Sequence, residues 1–182
     1  TDITVIERRR SRRTELAERP DPAQLDKLTG LLNRSAIQLA LSGEVARSRR
    51  YHNPLTVLLL TVQIGADTEP VDVSRLDALQ AERGLARLLR EKLRWVDMIG
   101  AWARGEILIV LPETSAESAS QLARKIRAQV RAAGRSLCVG NSQIKIAMTE
   151  WVRGDDVASL TRRLESGYKA PPVTPQAMVA LV

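Results

Sequence analysis

Asp97-Met98-Ile99-Gly100-Ala101-Trp102-Ala103-Arg104-Gly105-Glu106-Ile107-Leu108-Ile109-Val110-Leu111-Pro112 is the stretch on which the fold of this 182-residue chain turns. Two apolar runs, 97–102 and 106–111, flank a short segment containing Gly105, which predicts two strands joined by a tight turn and closed by Pro112. Upstream, Pro54-Leu55-Thr56-Val57-Leu58-Leu59-Leu60-Thr61-Val62 is short, apolar and partly β-branched, the pattern of a central strand buried on both faces. After a loop over 66–74, Leu76, Leu79, Leu85, Leu88, Leu89 and Leu93 predict a long helix ending near Trp95. Downstream, Thr114 and Glu117 have capping-box spacing ahead of an amphipathic helix over 116–131, which Gly134 stops. Residues 137–139 and 144–151 are expected to form a second strand pair, and Asp155-Asp156 to open a last helix through Tyr168. A helix over 35–50 precedes the whole set, carried by Ile37, Leu41 and Val45. The order β, α, β, β, α, β, β, α predicts an α/β fold, a mixed central sheet flanked by helices.

The ends differ from this middle. Residues 3–19 contain no Gly or Pro and read as helix, ended by Pro20-Asp21-Pro22, while Pro171, Pro172 and Pro175 break up the tail. The expected organisation is a connector helix over 1–22, one domain over 23–170 and a tail or linker over 171–182. Residues 3–19 carry few large apolar side chains to bury and are expected to project from the domain and pair with a second copy. Twenty-eight basic against twenty-one acidic residues give a net charge of +7. The densest basic run, Arg8-Arg9-Arg10-Ser11-Arg12-Arg13, is interleaved with glutamates and lacks aromatic residues on which bases stack, so nucleic acid is not an expected partner. A single cysteine, Cys138, fits a reducing cytoplasmic setting, and one histidine, His52, leaves little for a histidine-based site. No apolar run approaches the roughly 20 residues that span a bilayer. The start at Thr1 suggests a cut from a longer protein, whose arginine run fits the cytoplasmic flank of a membrane helix.

Asp26-Lys27-Leu28-Thr29-Gly30-Leu31-Leu32-Asn33-Arg34 resembles the D-x-L-T-G-L-x-N-R opening of GGDEF domains, the diguanylate cyclase family. The hairpin and the strand after it, with Pro112-Glu113-Thr114, are similar to that family's signature turn, although the signature reads Ala103-Arg104-Gly105-Glu106-Ile107. Gln121 to Arg127 resembles the helix that follows, and Arg163 to Lys169 a worn form of the family's closing motif. The resemblance spans about residues 26–170 and implies a nucleotidyl-cyclase-like architecture with a ferredoxin-like core.

Active members, as the resemblance implies, join two GTP molecules into cyclic di-GMP with two Mg²⁺ ions per domain. The family's aspartates at the end of the first strand are replaced by Thr61 and Gln63, and its signature acid by Gly105. Ala103 and Arg104 stand where glycines admit phosphate, the guanine-reading positions fall on Glu69-Pro70 and Ala78-Leu79, and the closing lysine aligns with Pro171. Only Glu106 survives. Mg²⁺ in such sites is held by one or two carboxylates together with the substrate phosphates, so the expectation is a degenerate domain that is not an enzyme and holds no cofactor.

Arg94-Trp95-Val96-Asp97 matches the family's R-x-x-D inhibitory site. Arginine can hydrogen-bond O6 and N7 of guanine in a fork, and a carboxylate can accept from guanine N–H groups. Lys125 falls where the family supplies a further basic residue, with Arg124 as a substitute. The resemblance therefore implies a cyclic di-GMP receptor or regulatory module working with other domains of its parent protein. A dimerisation or protein-docking module that binds no nucleotide is the alternative, and a residual GTP-binding regulatory domain a third. Arg94 and Asp97 also fit an ordinary ion pair at a helix end. Cys138, Met148, Trp95 and Trp102 are expected to be packing residues, and His52 a surface turn residue.

Overall fold

A computed structural model of the chain describes residues 21–63, 75–133 and 143–169. A 3₁₀ turn at Pro22–Gln24 leads into α1 (Arg34–Tyr51), β1 (Leu55–Gln63), α2 (Arg75–Lys92), β2 (Met98–Ala103), β3 (Glu106–Pro112), α3 (Ala116–Ala133), β4 (Gln143–Glu150) and α4 (Val157–Lys169). The sheet order is β2-β3-β1-β4. All three pairings are antiparallel, with Leu58 of β1 opposite Ile109 of β3 and Met148 of β4. The expected mixed sheet is thus antiparallel in its named strands. The crossover through α2 makes β1 and β2 run the same way, but β3 lies between them and opposes both. Parallel pairing among the described residues is confined to Leu32, which bridges Gly100 on the outer edge of β2.

Period two along the strands divides the core. Leu58, Leu60, Ile107, Ile109, Ile146 and Met148 pack under α2 and α3, against Leu85, Leu89, Ala123 and Ile126. Leu55, Val57, Leu59, Leu108 and Val110 face the other way, onto Ile37 and Leu41 of α1 and Leu160 and Leu164 of α4. Strands covered on both sides read as near-continuous apolar runs, which is why β1 was legible as a central strand. α1 and α4 fix the edges closely. A Cβ built on Gly100 would lie 2.5 Å from Cβ of Ile37, so β2 reaches α1 only because residue 100 has no side chain.

Several details differ from the sequence reading. α2 ends at Lys92 rather than near Trp95, because Trp95 and Val96 form a turn. Ser115, not Thr114, caps α3: its Oγ accepts from the Ser118 N–H at 3.4 Å, while the Thr114 hydroxyl donates to the Pro112 carbonyl. Trp95 is not a packing residue, being 95% exposed, whereas Trp102 and Met148 are buried. His52 is the left-handed C-cap of α1, with φ +58°. The connector over 3–19, the loop over 66–74, the strand over 137–139, Cys138 and the tail over 171–182 lie outside the described residues. Among the described residues no helix is long and apolar enough to cross a membrane.

Candidate functional site

The junction between α2 and β2 is built around one carboxylate. The Asp97 N–H donates to the Arg94 carbonyl at 3.0 Å, closing a four-residue turn with Trp95 and Val96 at its corner. The Asp97 carboxylate folds back into that turn and accepts from the Arg94 backbone N–H at 2.8 Å. It also accepts from Arg94 Nε at 3.4 Å and Nη2 at 3.2 Å. Arg94 Nη2 gives a further bond to the Thr114 hydroxyl at 2.7 Å. The Asp97 side chain is 2% exposed and the Arg94 side chain 58% exposed. The carboxylate is therefore spent on holding the guanidinium, while the Nη1 edge of Arg94 has no hydrogen-bond partner among the described residues. Thr114, which ties the fork to the start of α3, was not singled out for this role from sequence.

Lys125 and Arg124 do not join the pair. Both are exposed on α3 and make no hydrogen bond or ion pair with Arg94 or Asp97 among the described residues. Lys125 lies nine residues beyond Ala116, about 14 Å along the helix from the end where Thr114 holds Arg94.

A second feature lies beside the signature turn. A cleft of about 430 Å³ is lined by Asp26, Leu28, Arg34, Leu79, Glu82, Trp102, Ala103 and Arg104 among others. The motif at 26–34 forms one wall because its polar groups are consumed locally. Asp26 Oδ1 accepts from the N–H and hydroxyl of Thr29 at 2.8 and 2.7 Å. Arg83 and Arg90 of α2 donate to the carbonyls of Leu28 and Gly30. Arg34 lies 4.5 Å over the Trp102 ring and donates to the Trp102 carbonyl. Of the signature positions, Ala103 and Arg104 are exposed, Gly105 and Glu106 half-buried, and Ile107 is core. Gly105 has φ +73°, so a left-handed residue closes this two-residue turn.

Glu82, which sequence reasoning passed over, is 6% exposed and lies in that cleft. Burial pushes its carboxyl above the ordinary glutamate range, the Gly105 N–H draws it back, nearby Asp26 raises it further, and Arg104 lowers it. The residue has a sequence signal: it occupies the apolar stripe of α2, three and seven residues before buried Leu85 and Leu89. Among the described residues no three Asp, Glu, His or Cys side chains converge as a metal site.

No family model matches the chain. It is 32% identical over 119 residues to diguanylate cyclase DgcP of Pseudomonas aeruginosa, a match covering 65% of this chain and 18% of that protein. The chain thus spans less than a fifth of that relative's length. Diguanylate cyclase SiaD from Pseudomonas aeruginosa, solved with its activator SiaC, superposes with a TM-score of 0.75 at 24% identity, covering 90% of this chain and 63% of that one. The GGDEF domain of DgcB from Caulobacter crescentus, solved in complex with c-di-GMP, gives 0.69 at 18% identity, covering 82% and 89%. The fold is that of GGDEF domains. The similarity to a protein named as a diguanylate cyclase overturns the expectation that the chain is not an enzyme. That expectation rested on side chains missing at Thr61, Gln63 and Gly105. Glu82 exposes its weakness, since a carboxylate reaches the signature turn from α2, where motif matching does not look.

Proposed function

We propose that this domain binds cyclic di-GMP at the Arg94 turn and serves as a regulatory module of a larger, cyclase-type protein. The observation that carries the reading is the division of labour in the turn. Asp97 is buried and fixes the guanidinium, and Arg94 keeps an unpartnered Nη1 edge on the surface. A preorganised arginine loses little freedom on binding, and its N–H groups match the O6 and N7 acceptors on the guanine edge. Asp97 is then a positioning residue rather than a direct guanine acceptor. Lys125 and Arg124 add positive charge on the neighbouring helix, suited to the two phosphodiesters of the ligand. Residues 23–170 make up the module, 1–22 and 171–182 connect it to other domains, and the connector pairs two copies.

The GGDEF fold, the c-di-GMP complex of the DgcB domain and the pairing of SiaD with an activator support a regulated nucleotide-binding role. A ligand that binds only the folded state raises the melting temperature with its concentration. Cyclic di-GMP at a hundredfold excess over its dissociation constant is expected to add about 2.7 kcal/mol of stability, read as a saturable rise in melting temperature. An unmoved melting temperature with millimolar cyclic di-GMP would remove the reading and leave the docking-module alternative.

A further inference from the structure

We infer that Trp95 is a stacking platform for a guanine base of the ligand at the Arg94 turn, an inference that rests on the cyclic di-GMP reading above. The chain has three tryptophans. Trp102 and Trp151 are 5% and 9% exposed, whereas Trp95 is 95% exposed. An indole left this bare contributes nothing to the core, and large aromatic side chains held in water are characteristic of binding surfaces. Its backbone is fixed all the same. Trp95 is the second residue of the turn that closes from the Asp97 N–H to the Arg94 carbonyl, and the Asp97 carboxylate locks that turn through the Arg94 backbone and side chain.

Residues 94 and 95 thus offer one exposed aromatic face and one set of N–H donors unpartnered among the described residues, at adjacent positions. A purine uses both at once: its face stacks on the indole while its acceptor edge meets the guanidinium. An apolar protein partner is a poorer occupant, because Glu91, Lys92 and Arg94 around Trp95 are exposed and only Leu93 and Val96 are apolar, both half-buried. Tryptophan hot spots between proteins sit instead within desolvated apolar surroundings. Stacking also compensates for the Nη2 and Nε groups already engaged by Asp97 and Thr114, which a ligand could reach only by breaking those bonds.

The test titrates the full chain with cyclic di-GMP by calorimetry and by tryptophan fluorescence. Trp95 is the exposed fluorophore, so stacking is expected to quench its emission with the same saturation as the heat. Trp95→Ala is expected to weaken binding roughly 5- to 100-fold, the loss of one base stack, with an unchanged melting temperature for the free protein. Trp95→Tyr is expected to restore most of the affinity. Unchanged affinity in Trp95→Ala, alongside binding by the unmutated chain, would overturn the stacking role and leave the Arg94 site standing. No heat from the unmutated chain would overturn both.

Discussion

Glu82 illustrates how much can rest on a single side chain. Desolvation raises its carboxyl pKa against the partial relief from the Gly105 N–H and Arg104. The sign of the stability effect follows from proton binding. Above the ordinary value of 4.5 the unfolded chain loses this proton while the native state keeps it, so this group makes stability fall as pH rises toward the folded value. Glu82→Gln removes that liability. Its melting temperature is expected to exceed that of the unmutated chain at pH 7, with the gap closing as pH falls below about 4.5; a gap independent of pH would contradict the account of Glu82. The sequence held the signal for this residue in the apolar phase of α2, but the resemblance drew attention to Thr61, Gln63 and Gly105 instead. Motif matching finds a carboxylate only where the family keeps one, whereas a neighbouring element can deliver one to the same space. Trp95 was misread for a related reason. Sequence gives the apolar character of an indole, but not that its turn has nothing to pack against.

At the scale of elements, the close contact of β2 with α1 is the sharpest constraint. Gly100→Ala would place a methyl 2.5 Å from Ile37 Cβ, in the middle of a buried helix face. Overpacking of this kind is expected to destabilise by about 1–3 kcal/mol, measurable by urea unfolding, and a neutral outcome would mean that the two elements can separate freely. The start of α4 offers a second test. The Arg163 guanidinium meets both Asp155 oxygens at 2.6 Å, and this pairing, more than the Val152 N–H and Ser159 hydroxyl, holds the carboxyl below the ordinary aspartate value. The resulting stability is full above 3.8, where unfolded aspartate is ionised, and is lost as pH falls through the folded value. Asp155→Asn is expected to lose about 1.5 kcal/mol at pH 7, the low end for charged hydrogen bonds because Arg163 is 40% exposed to screening water. The loss is expected to shrink below about pH 4, and a loss that grows with acid would contradict it. The hairpin, β1 and the helices were legible because period two, period 3.6 and Gly105 each have a local cause. The antiparallel sheet was not, since insertion of β3 between β1 and β2 depends on contacts far apart in sequence.

At the scale of the whole molecule, helices cover both sheet faces, and the motif at 26–34 is tied to α2 by Arg83 and Arg90 and to the outer edge of β2 by the backbone of Leu32. The sequence identified that motif without revealing its structural work, the supply of caps and carbonyl acceptors. Arg94 and Asp97, expected at a helix end and in the strand that follows, instead share one turn that ends before β2. Lys125 and Arg124 could not be located in the same way, because their distance from the turn depends on how α3 runs over the sheet. A net charge of +7 favours an anionic ligand anywhere on the surface, so a useful comparison must separate general charge from the proposed site. Arg87 provides the control: it is an exposed arginine on α2, paired among the described residues with Glu91 at 3.4 Å. The decisive measurement is calorimetric titration of the unmutated chain, Arg94→Ala and Arg87→Ala with cyclic di-GMP at one salt concentration. Arg94→Ala is expected to lose about ten- to a hundredfold in affinity, the loss of charged hydrogen bonds to guanine, while Arg87→Ala stays within about twofold. Equal affinities for all three proteins, or no heat from the unmutated chain, would contradict binding at the Arg94 turn.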